Sequence, residues 1–223
     1  MRTALVSVIG LLVVLTGGLA VRGIAATAHG RPALALSHSP CAGHERWKIK
    51  TLTDDQAEHV TKTAKTTTVD ELRANDTRPA KVSAKVERIH PVEFRRYRVH
   101  ATLRKALKED DGDLHVVIHD PEHDGENDPS QTMIAEFPDT NCDPQKSSAY
   151  APQMAEARAA FVALVKRCTG YAGKFGSLVK FELHATITGV GFWDIKHGNP
   201  QLGHAPNDIE LHPVLNFTQA TCT

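Results

Sequence analysis

The stretch RYRVHATLRKALKEDDGDLHVVIHD, residues 96–120, gives the clearest indication of the fold of this chain. Apolar and polar side chains alternate along 96–108 and again along 114–119, which is typical of strands with one buried face. The acidic DDGD turn at 110–113 between them is a tight hairpin signal. Two antiparallel strands are therefore predicted. The inward residues of the first strand are Tyr97, Val99, Ala101, Leu103 and Leu107. The outward histidines, His100 on the first strand and His115 and His119 on the second, are predicted to be solvated.

Three further strands and one helix follow this hairpin. The strands are predicted at TMIAEFP (132–138), SLVKFELHATIT (177–188) and DIELHPVLNF (208–217), with a bulge or bend at 189–191. Between the first two, APQMAEARAAFVALVKRC (151–168) carries apolar side chains at helical spacing. Three strands, a helix and then more strands is the order of an OB-type barrel. The chain is predicted to be mainly β, an OB-like barrel with one internal α-helix; a β-sandwich is the disfavoured alternative.

The N-terminal region predicts export. Arg2, an uncharged apolar run at 4–21 and the small residues at 26–28 form the pattern of a signal peptide at 1–28. Cleavage after Ala28 predicts a secreted or extracytoplasmic protein with no membrane attachment. The alternative is an uncleaved anchor, because the apolar run is long enough to span a bilayer.

Residues 29–80 and 81–223 differ in character. The first segment is polar, and we predict an N-terminal extension that straps onto the main domain, with one short helix after the capping-box pattern at Thr68–Glu71. The second segment contains the strand series and is predicted to be the barrel domain.

The overall charge does not favour nucleic acid as a partner. Cleavage would remove Arg2 and Arg22, lowering Lys+Arg from 26 to 24 against 26 acidic residues. A nearly neutral chain has no bulk attraction to polyanions. Arg98 and Arg104 lie on one polar strand face and are the candidate polyanion-binding residues, because OB-folds bind single strands with a basic groove and stacking aromatics. Aromatic residues make up only 5% of the chain, so nucleic acid is possible but not favoured.

The richest polar stretch is FWDIKHGNPQLGHAPNDIELHPV, residues 192–214. Alternation places Glu210 and His212 on one strand face, and the loop before them can supply further ligands. Imidazole and carboxylate ligands suit zinc, and an ion with an open coordination position can activate water. The predicted metal ligands are Asp194, His197, His204, Glu210 and His212. The competing interpretation is a solvated strand face beside a turn ordered by its histidines.

The domain order resembles the staphylococcal-nuclease OB-fold over roughly residues 97–190. The matching features are the Asp111–Gly112–Asp113 turn, the Asp139–Thr140 turn and the helix that follows. In that family such turns hold calcium, arginines bind the phosphate, and a glutamate assists the attacking water. The resemblance implies an alternative metal site at Asp113, Asp139 and Thr140. The chain has Cys142 at the glutamate position and Ile134 at an arginine position. The resemblance therefore supports the fold better than it supports nuclease activity.

The chain is also similar to a group of small exported bacterial proteins without an established reaction. The shared segments are CAGHERWKIKTLTD (41–54), DGDLHVVIHDP (111–121), TMIAEFPDTNC (132–142) and ITGVGFWDIKHGNPQLGHAPNDIELHPVL (187–215). This resemblance implies secretion but no activity.

Four cysteines remain after the predicted cleavage: Cys41, Cys142, Cys168 and Cys222. An even number in an exported chain predicts two disulfides, and by themselves four cysteines allow three pairings. The group of exported proteins carries cysteines matching the first two. The resemblance therefore implies a Cys41–Cys142 bridge, and Cys168–Cys222 follows by exclusion.

Two classes of function stay open from the sequence. The first is an exported, disulfide-stabilised binding protein with an unknown extracellular ligand. The alternative is a phosphodiesterase or nuclease that depends on a divalent metal, zinc or calcium. The incomplete match to the nuclease turns favours the binding protein.

Overall fold

The computed structural model describes residues 45–124, 128–142, 147–172, 174–196 and 203–222. Within these ranges the chain forms six strands and three α-helices, so the predicted mainly β class is confirmed. The strands are β1 (Ala64–Thr66), β2 (Arg96–Lys108), β3 (Leu114–His119), β4 (Thr132–Phe137), β5 (Val179–Trp193) and β6 (Ile209–Cys222). The helices are α1 (Trp47–Lys50), α2 (Val69–Arg73) and α3 (Ala151–Thr169).

The strand pairings form a closed series that begins and ends at β2. β2, β3 and β4 form an antiparallel series, β4 pairs in parallel with β6, and β6 pairs antiparallel with β5. β5 then pairs antiparallel with β2, while β1 adds a short parallel pairing at the start of β2. α3 connects β4 to β5.

The core lies between the inner faces of these strands and α3. The helix buries Met154, Ala157, Phe161, Leu164 and Val165. These are the residues predicted to form its apolar stripe, except that Cys168 in the last turn is only half-buried. The Phe161 ring stacks on Phe137 of β4, with 4.9 Å between the ring centroids. α3 ends at Gly170, which takes the left-handed conformation (φ 72°) that glycine adopts without a steric cost.

The predicted inward face of β2 is correct only up to Leu103. The pairings of β2 with β3 and with β5 both shift register between Leu103 and Lys105. Such a bulge adds a residue to one strand and reverses which side chains face the core. Ala106 is therefore buried, and Leu107, predicted to face inward, is only half-buried.

The Gly189–Gly191 segment forms the predicted bulge, and β5 continues through it to Trp193. Its pairing with β6 shifts register on both sides of Gly189. A Cβ on Gly191 would lie 2.7 Å from the side chains of both Val92 and Tyr97, so only glycine fits there. The continuation carries β5 to the polar residues that follow Trp193.

The described part of the extension packs on the sheet through a buried ion pair. The Arg46 guanidinium donates to both carboxylate oxygens of Glu93, with an Nη1–Oε1 distance of 2.6 Å, and both side chains are fully buried. The Trp193 amide donates to the same carboxylate at 2.9 Å. This pair joins the extension to the end of β5. The predicted short helix is also present as α2.

One predicted disulfide joins the ends of two elements. Cys168, in the last turn of α3, bridges to Cys222 at the end of β6. Cys142 is also in a disulfide, but its predicted partner Cys41 lies outside the described residues. A disulfide is compatible with an extracytoplasmic location. Within the described ranges, no helix has both the length and the apolar character needed to cross a membrane.

Candidate metal centre

A cluster of polar side chains is buried on the outer face of β3, β4 and β6. In each strand these residues alternate with core residues and so point to the opposite side of the sheet. His115, Glu136, Glu210 and His212 are nevertheless only 2–5% exposed. The competing interpretation of Glu210 and His212 as a solvated strand face is therefore wrong. The predicted solvation of His115 is wrong for the same reason.

His119 and His100 differ in their surroundings. His119, also predicted to be solvated, is only 3% exposed, and its Nε2 lies 3.8 Å from a carboxylate oxygen of Asp124. The loop after β3 thus covers this end of the strand. His100 on β2 is exposed, as predicted.

Strand pairing brings the carboxylates and imidazoles together. His115 on β3 lies directly opposite Glu136 on β4. Ile134, two residues before Glu136 and on the same face, is in register with Glu210 on the parallel strand β6. The three strands therefore present one continuous row of polar side chains.

Two segments cover this row. α1 brings Lys50, whose Nζ lies 3.7 Å from the Asp194 carboxylate. The loop before β6 brings His204. A Cβ on Gly203 (φ 95°) would lie 2.6 Å from Val117 of β3, so glycine lets this loop approach the sheet. The Asp194 amide donates to the Asp208 carbonyl at 2.9 Å, which ties the end of β5 to the same loop.

Three predicted ligands meet in one group. Asp194, His204 and Glu210 each offer one ligand atom, and these atoms lie within 4.8 Å of one another. His212 is close by, with Nδ1 at 3.8 Å from Glu210 Oε2. His197 lies outside the described residues.

The second aspartate of the Asp111–Gly112–Asp113 turn lies beside His212 in the same cluster. Asp113 is 1% exposed, and its Oδ2 lies 3.4 Å from His212 Nε2. The metal site predicted in 192–214 and the alternative site implied by the nuclease resemblance therefore meet where Asp113 contacts His212. Asp139 has a different role, since its carboxylate accepts hydrogen bonds from the amide and the side chain of Asn141. Thr140 follows it in this turn and is half-buried.

A second group was not predicted from the sequence. Glu109, His115 and Glu136 offer ligand atoms within 4.8 Å of one another. His115 Nδ1 lies 2.9 Å from Glu136 Oε1 and 3.2 Å from Glu109 Oε1. The His115 and His204 rings pack edge to face, 5.8 Å between centroids, so the two groups are neighbours. The available sequence signal was Glu136, an acid within the otherwise apolar run MIAEF.

The cluster holds more carboxyl groups than the nearby cations can neutralise. Burial raises the pKa of Asp113 to about 6, and burial also raises the pKa of Glu136 and of Glu210 above the usual range. Burial lowers the pKa of His212 to about 4, so this imidazole is neutral at pH 7. Burial opposes the charge of Lys50, but Asp194 and Glu210 outweigh it and raise the lysine pKa. A divalent cation would replace the protons retained by these acids.

Several buried atoms of the cluster make no hydrogen bond within the described residues. They are Asp113 Oδ2, Glu136 Oε2, Glu210 Oε2 and both ring nitrogens of His212. A buried polar atom without a partner is costly, and such atoms are rare in folded proteins. Neutral imidazole and carboxylate oxygens are zinc ligands. The donor set therefore fits a divalent metal ion.

The two predicted polyanion-binding arginines do not form an equivalent site. Arg98 is exposed on β2. Arg104 is largely covered, and its Nη1 lies 2.9 Å from a carboxylate oxygen of Glu182 on β5. The ion pair with Glu182 partly neutralises the charge that Arg104 would offer to a phosphate.

No protein-family model, curated protein or solved structure matches this chain.

Proposed function

We propose that this chain is an exported binding protein whose ligand is a divalent transition-metal ion. The carboxylate and imidazole donors of the cluster favour zinc. Asp194, His204 and Glu210 are the protein ligands, and His212 lies beside them. The observation that carries the proposal is that Glu210 Oε2 and both ring nitrogens of His212 are buried without a hydrogen bond in the described part of the chain, next to the group formed by Asp194, His204 and Glu210. An ion bound there would satisfy them and neutralise the buried acids.

The proposed framework is an OB-like barrel that is secreted after cleavage of residues 1–28. The closed series of strand pairings and the helix between β4 and β5 support the barrel. The Cys168–Cys222 bridge and the apolar leader support export. We assign the binding surface to the outer face of β3, β4 and β6, covered by α1 and the loop at 203–208.

The second candidate function is hydrolysis of a phosphodiester by the bound metal ion. Three protein ligands leave a coordination position for water, and a divalent ion lowers the pKa of that water. Lys50 lies at the same site, where its charge would favour an anionic substrate. This candidate ranks second because Arg104 is paired with Glu182 and Cys142 stands where the nuclease family has its glutamate.

Zinc titration of the secreted, metal-free protein tests the binding function. We expect calorimetry to show zinc binding, and Glu210→Gln or His204→Ala to weaken it by at least about tenfold, because each removes a ligand. Glu156→Gln, at an exposed position of α3, is the matched control and should bind like the wild type. A protein that takes up no zinc, or a Glu210→Gln variant with unchanged affinity, would disprove the proposal.

A cleavage assay separates the two candidates. The zinc-loaded protein is incubated with single-stranded DNA and with an activated phosphodiester. Turnover that disappears in Glu210→Gln and persists in Glu156→Gln would establish the hydrolytic function. Zinc binding without turnover supports the binding protein.

A further inference from the structure

We propose that the second group, Glu109, His115 and Glu136, binds a second divalent cation, so that the cluster is a two-ion centre. The inference rests on the proposed function for its first ion and adds a separate set of three ligands. Two carboxylates with one imidazole suit Zn²⁺ or Mn²⁺.

Strand pairing holds these ligands close together in the absence of an ion. His115 and Glu136 are cross-strand partners in β3 and β4, and Glu109 lies at the start of the turn that connects β2 to β3. The three ligand atoms already lie within 4.8 Å of one another. Ligands on paired strands pay little conformational entropy on binding, since their backbone is fixed by the sheet.

One carboxylate of this group has a buried oxygen that makes no hydrogen bond. Glu136 is 4% exposed; its Oε1 contacts His115, whereas its Oε2 makes no hydrogen bond within the described part of the chain. A cation at this position would satisfy the oxygen and replace the proton on His115 Nδ1. Glu109 provides the approach from solvent, because its side chain is 41% exposed.

The two groups are close enough to act on each other. The rings of His115 and His204 are in edge-to-face contact, and Glu136 and Glu210 lie on the same face of neighbouring strands. The surrounding carboxyl groups outnumber the cations that act on them, Lys50 and Arg158. Two bound divalent ions would therefore face enough negative charge to limit their mutual repulsion.

Metal content after removal of weakly held zinc tests the inference and separates it from the proposed function. The full secreted chain is loaded with just enough zinc to fill the wild type and is passed through a desalting column, and the zinc retained per chain is measured by mass spectrometry. We expect two ions in the wild type and in the Glu156→Gln control, and one in Glu136→Gln or Glu210→Gln. Glu109→Gln, at a half-exposed position where the fold is less sensitive, should also leave one ion.

The outcomes are distinct for the two proposals. One ion in the wild type that is retained by Glu136→Gln and Glu109→Gln would overturn the second site but leave the first. Two ions in Glu210→Gln would overturn the first site. The absence of bound zinc would overturn both.

Electron paramagnetic resonance of the manganese-loaded protein tests whether the two ions are neighbours. Two Mn²⁺ ions within one cluster should give a broadened, spin-coupled spectrum. In Glu109→Gln, the remaining ion should give the six-line spectrum of isolated Mn²⁺. A six-line spectrum from wild type carrying two ions would show that the second ion lies elsewhere and would overturn the inference.

Discussion

The His115 imidazole lies between two carboxylates, although its strand position predicts contact with solvent. Burial acts to lower the pKa of this histidine, but Glu136 and Glu109 outweigh it and raise the pKa to about 11. In the metal-free protein His115 is therefore a cation at neutral pH. It partly neutralises the acids that, with an ion bound, would be ligands.

This raised pKa predicts how stability depends on pH. The folded protein holds the His115 proton more tightly than the unfolded chain, so the contribution to stability is full below the unfolded pKa of about 6.5. It is lost as the pH rises from there through about 11. Between pH 7 and pH 10 the free energy of unfolding of the metal-free wild type should fall more than that of His115→Gln. Urea titrations in the presence of a chelator measure both.

The variant His59→Gln is the control for that comparison, because His59 is exposed in the extension. It should follow the wild type at every pH. Equal losses between pH 7 and pH 10 in the wild type and His115→Gln would show that the carboxylates do not hold the proton on His115.

At the scale of elements, α2 shows how a local sequence signal specifies a helix start. The Thr68 hydroxyl accepts a hydrogen bond from the Glu71 amide at 3.1 Å, which is the N-cap contact expected from the sequence. The Glu71 carboxylate accepts a hydrogen bond from the Thr67 hydroxyl. Val69 and Leu72 on the inner side of this helix are buried against the core.

Loss of this cap should lower stability by a modest amount. Thr68→Ala leaves the Glu71 amide without its acceptor, and we expect the free energy of unfolding to fall by about 1 kcal/mol. Thr63→Ala, at an exposed bend outside the helix, is the control and should change it by less than about 0.5 kcal/mol. Denaturant titration measures both. Equal effects of the two variants would contradict a capping role for Thr68.

At the scale of the whole molecule, the Cys168–Cys222 bridge joins α3 to the C-terminal strand. The bridged residues are 54 apart in sequence. A link across a loop of that length removes conformational entropy from the unfolded chain, by about 4 kcal/mol in the chain-entropy model. The bridge therefore stabilises the molecule mainly by restricting its unfolded state.

Removal of the bridge should be costly. The double variant Cys168→Ala and Cys222→Ala, which leaves no unpaired thiol at the site, should lose up to about 4 kcal/mol of unfolding free energy by urea titration. Ala159→Ser, an exposed substitution on α3, is the control for altering the helix itself. A loss smaller than about 1 kcal/mol would show that the unfolded chain is already compact without the bridge.

Much of the fold could be predicted from the sequence because alternation and helical spacing are local signals. β2 to β6, α2 and α3 lie close to the predicted ranges, and the glycine-rich bulge in β5 is where the pattern placed it. The wrong predictions for Leu107, His115 and His119 have one cause. The bulge after Leu103 and the cover over His115 and His119 depend on residues distant in sequence, and alternation reports which residues share a face but not what lies against it.

Alternation along the strands predicts which residues share a strand face. It therefore placed Glu210 beside His212, with Asp194 and His204 close enough in sequence to reach them. The burial of this face, the contact of Asp113 with His212, and the neighbouring group of Glu109, His115 and Glu136 depend instead on how the chain folds. The parallel pairing of β4 with β6 and the position of α1 join segments far apart in the chain. Local side-chain patterns carry no information about such contacts, because loop closure and packing select them in the folded molecule.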